Sequence, residues 1–167
     1  MESLIIIQTV VAFSTGILSL FLTYRLLNSY LRRLFQLETI NHAYATFKAG
    51  VLLATSLLMA SVISPGINAI RFLNQSGTNT NSVSTSIGYV LIFMVIGILF
   101  TFLIVAAGVL ILFQLTRVNE WEEIRRNNVP TALITSAFIV GLALIMRDHV
   151  ATVCEMLIPY PSVLQIR

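Results

Sequence analysis

Long apolar runs, each closed by a short polar or charged break, recur four times along the chain. The clearest is Asn128 to Met146, NVPTALITSAFIVGLALIM, with Asn127 and Asn128 at its start, Pro130 in its first turn and no charge from Thr131 to Met146. Asparagine caps a helix start because its side-chain oxygen accepts a backbone N–H that lacks a partner in the first turn; proline there forfeits only such an unused donor. Val129 to Met146 is 18 residues, roughly 27 Å at about 1.5 Å per residue, close to a hydrocarbon core of about 30 Å. The run predicts a membrane-spanning helix. Ala132, Ser136, Ala137 and Gly141 recur along it near helical spacing, and small residues let two helix backbones approach closely in lipid.

The same pattern stands 87 positions earlier, at Asn41 to Met59, NHAYATFKAGVLLATSLLM. Asn41 matches Asn128, Ala45 matches Ala132, Ala49 matches Ser136, Gly50 matches Ala137 and Ala54 matches Gly141. Matched leucines carry little weight between apolar segments, but matched small residues behind a matched cap point to duplication. The remaining two runs, Leu4 to Tyr24 and Ile87 to about Leu115, precede the two copies. The pattern therefore predicts an all-α polytopic membrane protein of four transmembrane helices, arranged as two parallel-repeat hairpins with interfacial amphipathic segments. Its parts are a first two-helix repeat over 1–73, a polar linker over 74–86 and a second two-helix repeat over 87–167.

The breaks refine this picture. Leu4 to Tyr24 lacks a basic n-region and a small-x-small cleavage site, so it is expected to be retained rather than processed. Its Thr15, Ser19 and Thr23 lie four apart, and such hydroxyls usually bond the carbonyl one turn back. Arg25, Arg32 and Arg33 among leucines and aromatics suggest an amphipathic continuation at the interface. Ser64-Pro65-Gly66 is expected to break the second helix, leaving Ile67 to Leu73 as a short interfacial piece. Arg147-Asp148-His149 is expected to end the fourth span, with an interfacial tail beyond it.

Composition fixes the solvent. Of 167 residues, 57% are hydrophobic and 10% charged, against about 25% charged in a soluble domain, so lipid must surround most of the chain. The net charge of +3 is spread in runs of at most two basic residues, which sets topology and does not suggest nucleic acid. Arg25, Arg32, Arg33, Lys48, Arg117, Arg125 and Arg126 share one side, and Arg71, Arg147 and Arg167 the other. The positive-inside rule places the former in the cytoplasm and both termini in the periplasm of a bacterial inner membrane. Both hairpins then share one orientation, unlike the inverted repeats of many secondary transporters.

Chemistry-bearing residues are few. Lys48, the only lysine, lies about two turns inside its helix; it is expected to snorkel to the surface or to find a buried partner or an internal cavity, the candidate partners being Glu38, Glu120, Glu122 and Glu123. Glu38 and His42 are four apart and would meet on a continuous helix. Glu122 and Arg126 form a favourable i, i+4 pair in RVNEWEEIRRNN, where Trp121 fits an interfacial anchor. Glu120, Glu122 and Glu123 are expected to be solvated, because adjacent glutamates face apart and no E-x-x-H accompanies them. His149 and the single Cys154 are five apart and face each other poorly. No metal, no cofactor and no catalytic set is expected; Arg147 and Asp148 complete the charged candidates.

The stretch EWEEIRRNNVPTALITSAFIVGLALIMRDHV resembles a bacterial membrane family known as domain of unknown function 350, in which a two-span unit occurs in tandem. Glu122, Glu123, Asn127, Asn128, Ala132 and Gly141 carry the resemblance, and Glu38, Asn41, Ala45 and Gly50 echo it in the more divergent first half. It implies a four-span inner-membrane protein and brings no catalytic residues. The function expected is a non-enzymatic assembly or scaffold module that forms homo-oligomers through its small-residue faces. It would dock a peripheral or soluble protein partner through its charged cytoplasmic hairpins. The alternative is an oligomeric channel or transporter subunit, suggested by Lys48, Arg147, Asp148 and the hydroxyl stripe.

Overall fold

A computed structural model describes residues 2–35, 41–75, 82–116 and 119–158. They fold into α1 (Glu2–Phe35), α2 (His42–Gln75), α3 (Ser82–Thr116), α4 (Glu120–Arg125) and α5 (Val129–Met156), and no strand occurs among them. Three stretches, His42–Phe72, Gly88–Thr116 and Val129–Met156, are long and apolar enough to cross a membrane. Their outer faces carry Leu91, Ile92, Val95, Leu99 and Leu103 on α3 and Leu133, Ile134, Leu144 and Ile145 on α5, all exposed. So continuous an apolar surface is unsuited to water. The chain is an all-α, multi-pass membrane protein.

The long helices run further than their apolar cores. α2 does not break at Ser64-Pro65-Gly66 but continues through Pro65 to Gln75. Proline removes one backbone donor, which a helix packed inside a bundle tolerates far better than an isolated one. Pro65 and Gly66 are buried, and a side chain at Gly66 would sit 3.9 Å from the Phe93 ring of α3. At Arg147-Asp148-His149, where the charges are expected to end the span, α5 continues as a helical tail to Met156 with these three residues exposed. Charges end a lipid-facing stretch without ending the helix that carries it. The expected polar linker shrinks too: residues 74–75 belong to α2 and 82–86 to α3, while 76–81 lie outside the described residues.

α2 and α5 form the principal contact. Their N-termini lie together, and the Ser136 hydroxyl of α5 donates to the Thr46 carbonyl of α2 at 3.2 Å. Gly50 meets Ser136 a turn further on, so the two helices run parallel. α3 packs antiparallel to both, with Gly97 against Met59 and Val62 of α2 and Gly108 against Ile139 of α5. α1 lies antiparallel to α2, with Tyr24 opposite Lys48. The core between these helices is led by Tyr44, Phe47, Val51, Ala54 and Leu58 from α2, joined by Val105, Val109, Ile139 and Ala143.

Candidate functional site

Three asparagines tie one end of the bundle. Asn41 accepts from the Tyr44 N–H at 2.7 Å, capping α2. Its amide nitrogen also donates to the carbonyls of Ile124 and Arg125 at 3.0 and 3.1 Å, closing the C-terminus of α4. Asn127 has φ 65°, the left-handed region that asparagine enters more readily than other side chains. That turn aims its side-chain oxygen at the Ala43 N–H, 3.0 Å away. Asn128 caps α5 through Thr131 and donates to Glu123 at 2.6 Å. Helix termini leave backbone groups without partners; here one helix start and one helix end are satisfied from across the tertiary contact. The sequence marks these asparagines as local caps, and nothing in their spacing reveals that they cap each other's neighbours.

One turn further in, Lys48 is buried at 7% exposure. Its ammonium sits 3.4 Å from the centre of the Tyr24 ring and 6.0 Å from that of Tyr44. Among the described residues no carboxylate pairs with it. Glu120, Glu122 and Glu123 are not its partners; the ammonium instead makes a cation–π contact, an attraction to the electron-rich ring face, and Glu38 lies outside the described residues. The signal that could have found this partner is weak: Tyr24 lies at the polar margin of the first apolar run. Above it, Ser19 is buried and donates to the Gly16 carbonyl at 2.8 Å, as the hydroxyl stripe suggests. Thr23 is buried with no hydrogen-bond partner for its hydroxyl among the described residues.

α4 carries the charged hairpin. Glu122 pairs with Arg126 at 3.2 Å and approaches Arg125 at 4.0 Å, as the i, i+4 spacing predicts. Trp121 packs edge-on against the buried Phe47, ring centres 5.6 Å apart, so it anchors the hairpin to α2. Glu120 departs from the solvated reading. It is 3% exposed and accepts from the Thr116 hydroxyl at 3.0 Å, because Asn119 starts α4 directly beneath the end of α3. Arg147 and Asp148 pair with each other at 3.0 Å on the exposed face of α5. His42 is exposed at the start of α2, and Glu38 lies outside the described residues.

The small residues divide by face. Gly50, Ala54, Ala132 and Ser136 are buried, with Gly50 and Ser136 in direct contact. Ala45, Ala49 and Ala137 face outward, and a side chain at Gly141 would meet nothing within 4 Å.

Comparison with known families finds a match over the helical hairpin that this turn joins. The model of a Domain of Unknown Function, DUF350, matches residues 83–159. The match covers most of the second half of the chain. It takes in α3, α4 and α5, and so includes the Asn127–Asn128 pair and the buried Glu120. No curated protein matches the chain, and no solved structure does.

Proposed function

We propose that the protein is a non-enzymatic assembly module of the bacterial inner membrane. It is a four-span bundle of two like-oriented hairpins, α1–α2 and α3–α5, that associates with further copies through small-residue faces. Its charged cytoplasmic hairpins dock a peripheral or soluble partner. α1, at 34 residues, is roughly 51 Å long, enough for a fourth span. The repeat reading is supported by register, since α2 opens at His42 and α5 at Val129, each behind a capping asparagine, and the two run parallel.

One observation carries the assembly reading: half of the small-residue positions pack against nothing among the described residues. Ala45 and Ala49, joined by Ser56 and Ala60, face outward along α2, as does Ala137 on α5. Lipid needs no such indentation, whereas a second helix does, because association in a bilayer depends on close backbone approach. Native mass measurement and cross-linking in detergent test this. The wild-type chain is expected to form a discrete oligomer that Ala49→Leu weakens, and a strictly monomeric, partner-free protein would refute the reading.

The buried Lys48 favours the alternative, a channel or transporter subunit. In that case flux through liposomes containing the purified assembly falls on Lys48→Ala, and an assembly that passes no ion removes the alternative.

A further inference from the structure

Among the carboxylates whose side chains the structure describes, Glu120 alone is buried, and it is at most half satisfied. One oxygen shares the single Thr116 hydroxyl proton, at 3.0 Å, with the Leu112 carbonyl at 2.8 Å; the other has no hydrogen-bond partner among the described residues. Glu120 lines a crevice of about 110 Å³ between the end of α3 and the start of α5, together with Leu112, Thr116, Thr131, Ile134 and Thr135. The Thr135 hydroxyl commits its proton to the Thr131 carbonyl at 2.9 Å, so its oxygen offers lone pairs only. A buried carboxylate oxygen without a donor is costly, and the cost is relieved by a positively charged donor.

The nature of that donor follows from the walls. Leu112 and Ile134 are poor partners for a metal ion that must keep several oxygen ligands. No group of three or more metal-ligating side chains is found among the described residues. An ammonium group on a short apolar stem matches both parts of the crevice. The first half of the chain supplies a parallel, which rests on the repeat reading. Eighty-seven positions before Thr135 stands Lys48, whose own ammonium is held under α1 at Tyr24. The first half encloses an ammonium of its own at this level, and the second presents a carboxylate instead.

We propose that the crevice at Glu120 binds a primary ammonium group, carried by a lipid headgroup or by a soluble alkylamine. The test uses the full chain in detergent, titrated with phosphatidylethanolamine, with phosphatidylcholine, which has no N–H donor, and separately with ethylammonium chloride, bound ligand being read by native mass spectrometry. A lipid source predicts phosphatidylethanolamine held about tenfold more tightly than phosphatidylcholine, the worth of one charge-assisted hydrogen bond. Glu120→Gln abolishes that preference. A soluble source predicts ethylammonium binding that Glu120→Gln abolishes, without discrimination between the lipids. Thr135→Val weakens whichever binding is seen, and carries the test if Glu120→Gln does not yield folded protein. Equal binding of all three ligands, or amine binding indifferent to both substitutions, overturns the proposal, as does displacement of the amine by an equal concentration of sodium ions. Failure of the oligomer test would leave this result untouched, since the crevice lies within one chain.

Discussion

Asn127 does two things with one side chain: it turns the backbone into the left-handed region and caps a helix belonging to another part of the fold. The two roles can be separated. Asn127→Gly keeps the turn and loses the cap, which should cost about 1 kcal/mol. Asn127→Ala loses the cap and adds about 1–2 kcal/mol of backbone strain. Thermal unfolding in detergent should therefore rank wild type above glycine and glycine above alanine. Glycines give a second contrast at this scale. A methyl group at Gly50 would lie 2.9 Å from the Ser136 Cα, a backbone atom that moves only if α2 and α5 separate. Gly50→Ala should then cost about 1–3 kcal/mol. At Gly97 the same methyl meets the flexible end of Met59, and at Gly141 it meets nothing. Gly97→Ala should be milder, and Gly141→Ala should stay within about 0.5 kcal/mol of wild type.

Among the helices, α1 is held to α2 in part by a charge on a ring. Tyr24 and Lys48 should therefore couple. A double-mutant cycle with Tyr24→Leu and Lys48→Met, followed by unfolding, is expected to return about 1–2 kcal/mol of interaction between them, the range for a desolvated cation–π pair. Additive single mutants would mean that the ammonium is solvated by water instead. α2 and α5 also show how far like sequences can diverge in use. They share a capping asparagine and small residues in register, yet Gly50 is enclosed while its counterpart Ala137 faces out. Register along a helix is inherited with the sequence; which face becomes an interface depends on the neighbours, and α2 has α1, α3 and α5 around it.

At the scale of the molecule, the helical architecture was legible because membrane-crossing helices announce themselves by length and apolarity alone. So was the asparagine start of α2 and α5, since a cap is a local device. What local pattern could not give was continuity and partnership. Pro65 reads as a stop, but tertiary packing carries the backbone through it. Lys48 and Glu120 read as a possible ion pair. Each is instead buried apart from the other, one against tyrosine and one against threonine, because side-chain pairing depends on helix rotation that composition does not encode.

The lone thiol has a practical use. Cys154 is fully enclosed and the chain has no other cysteine, so a membrane-impermeant maleimide applied to intact cells should leave the native protein unmarked. Each newly installed cysteine then reports its own side of the bilayer without an engineered background. With both hairpins oriented as proposed, Arg126→Cys should react only after the cells are opened, and His149→Cys while they are whole; the reverse order would turn the entire bundle upside down.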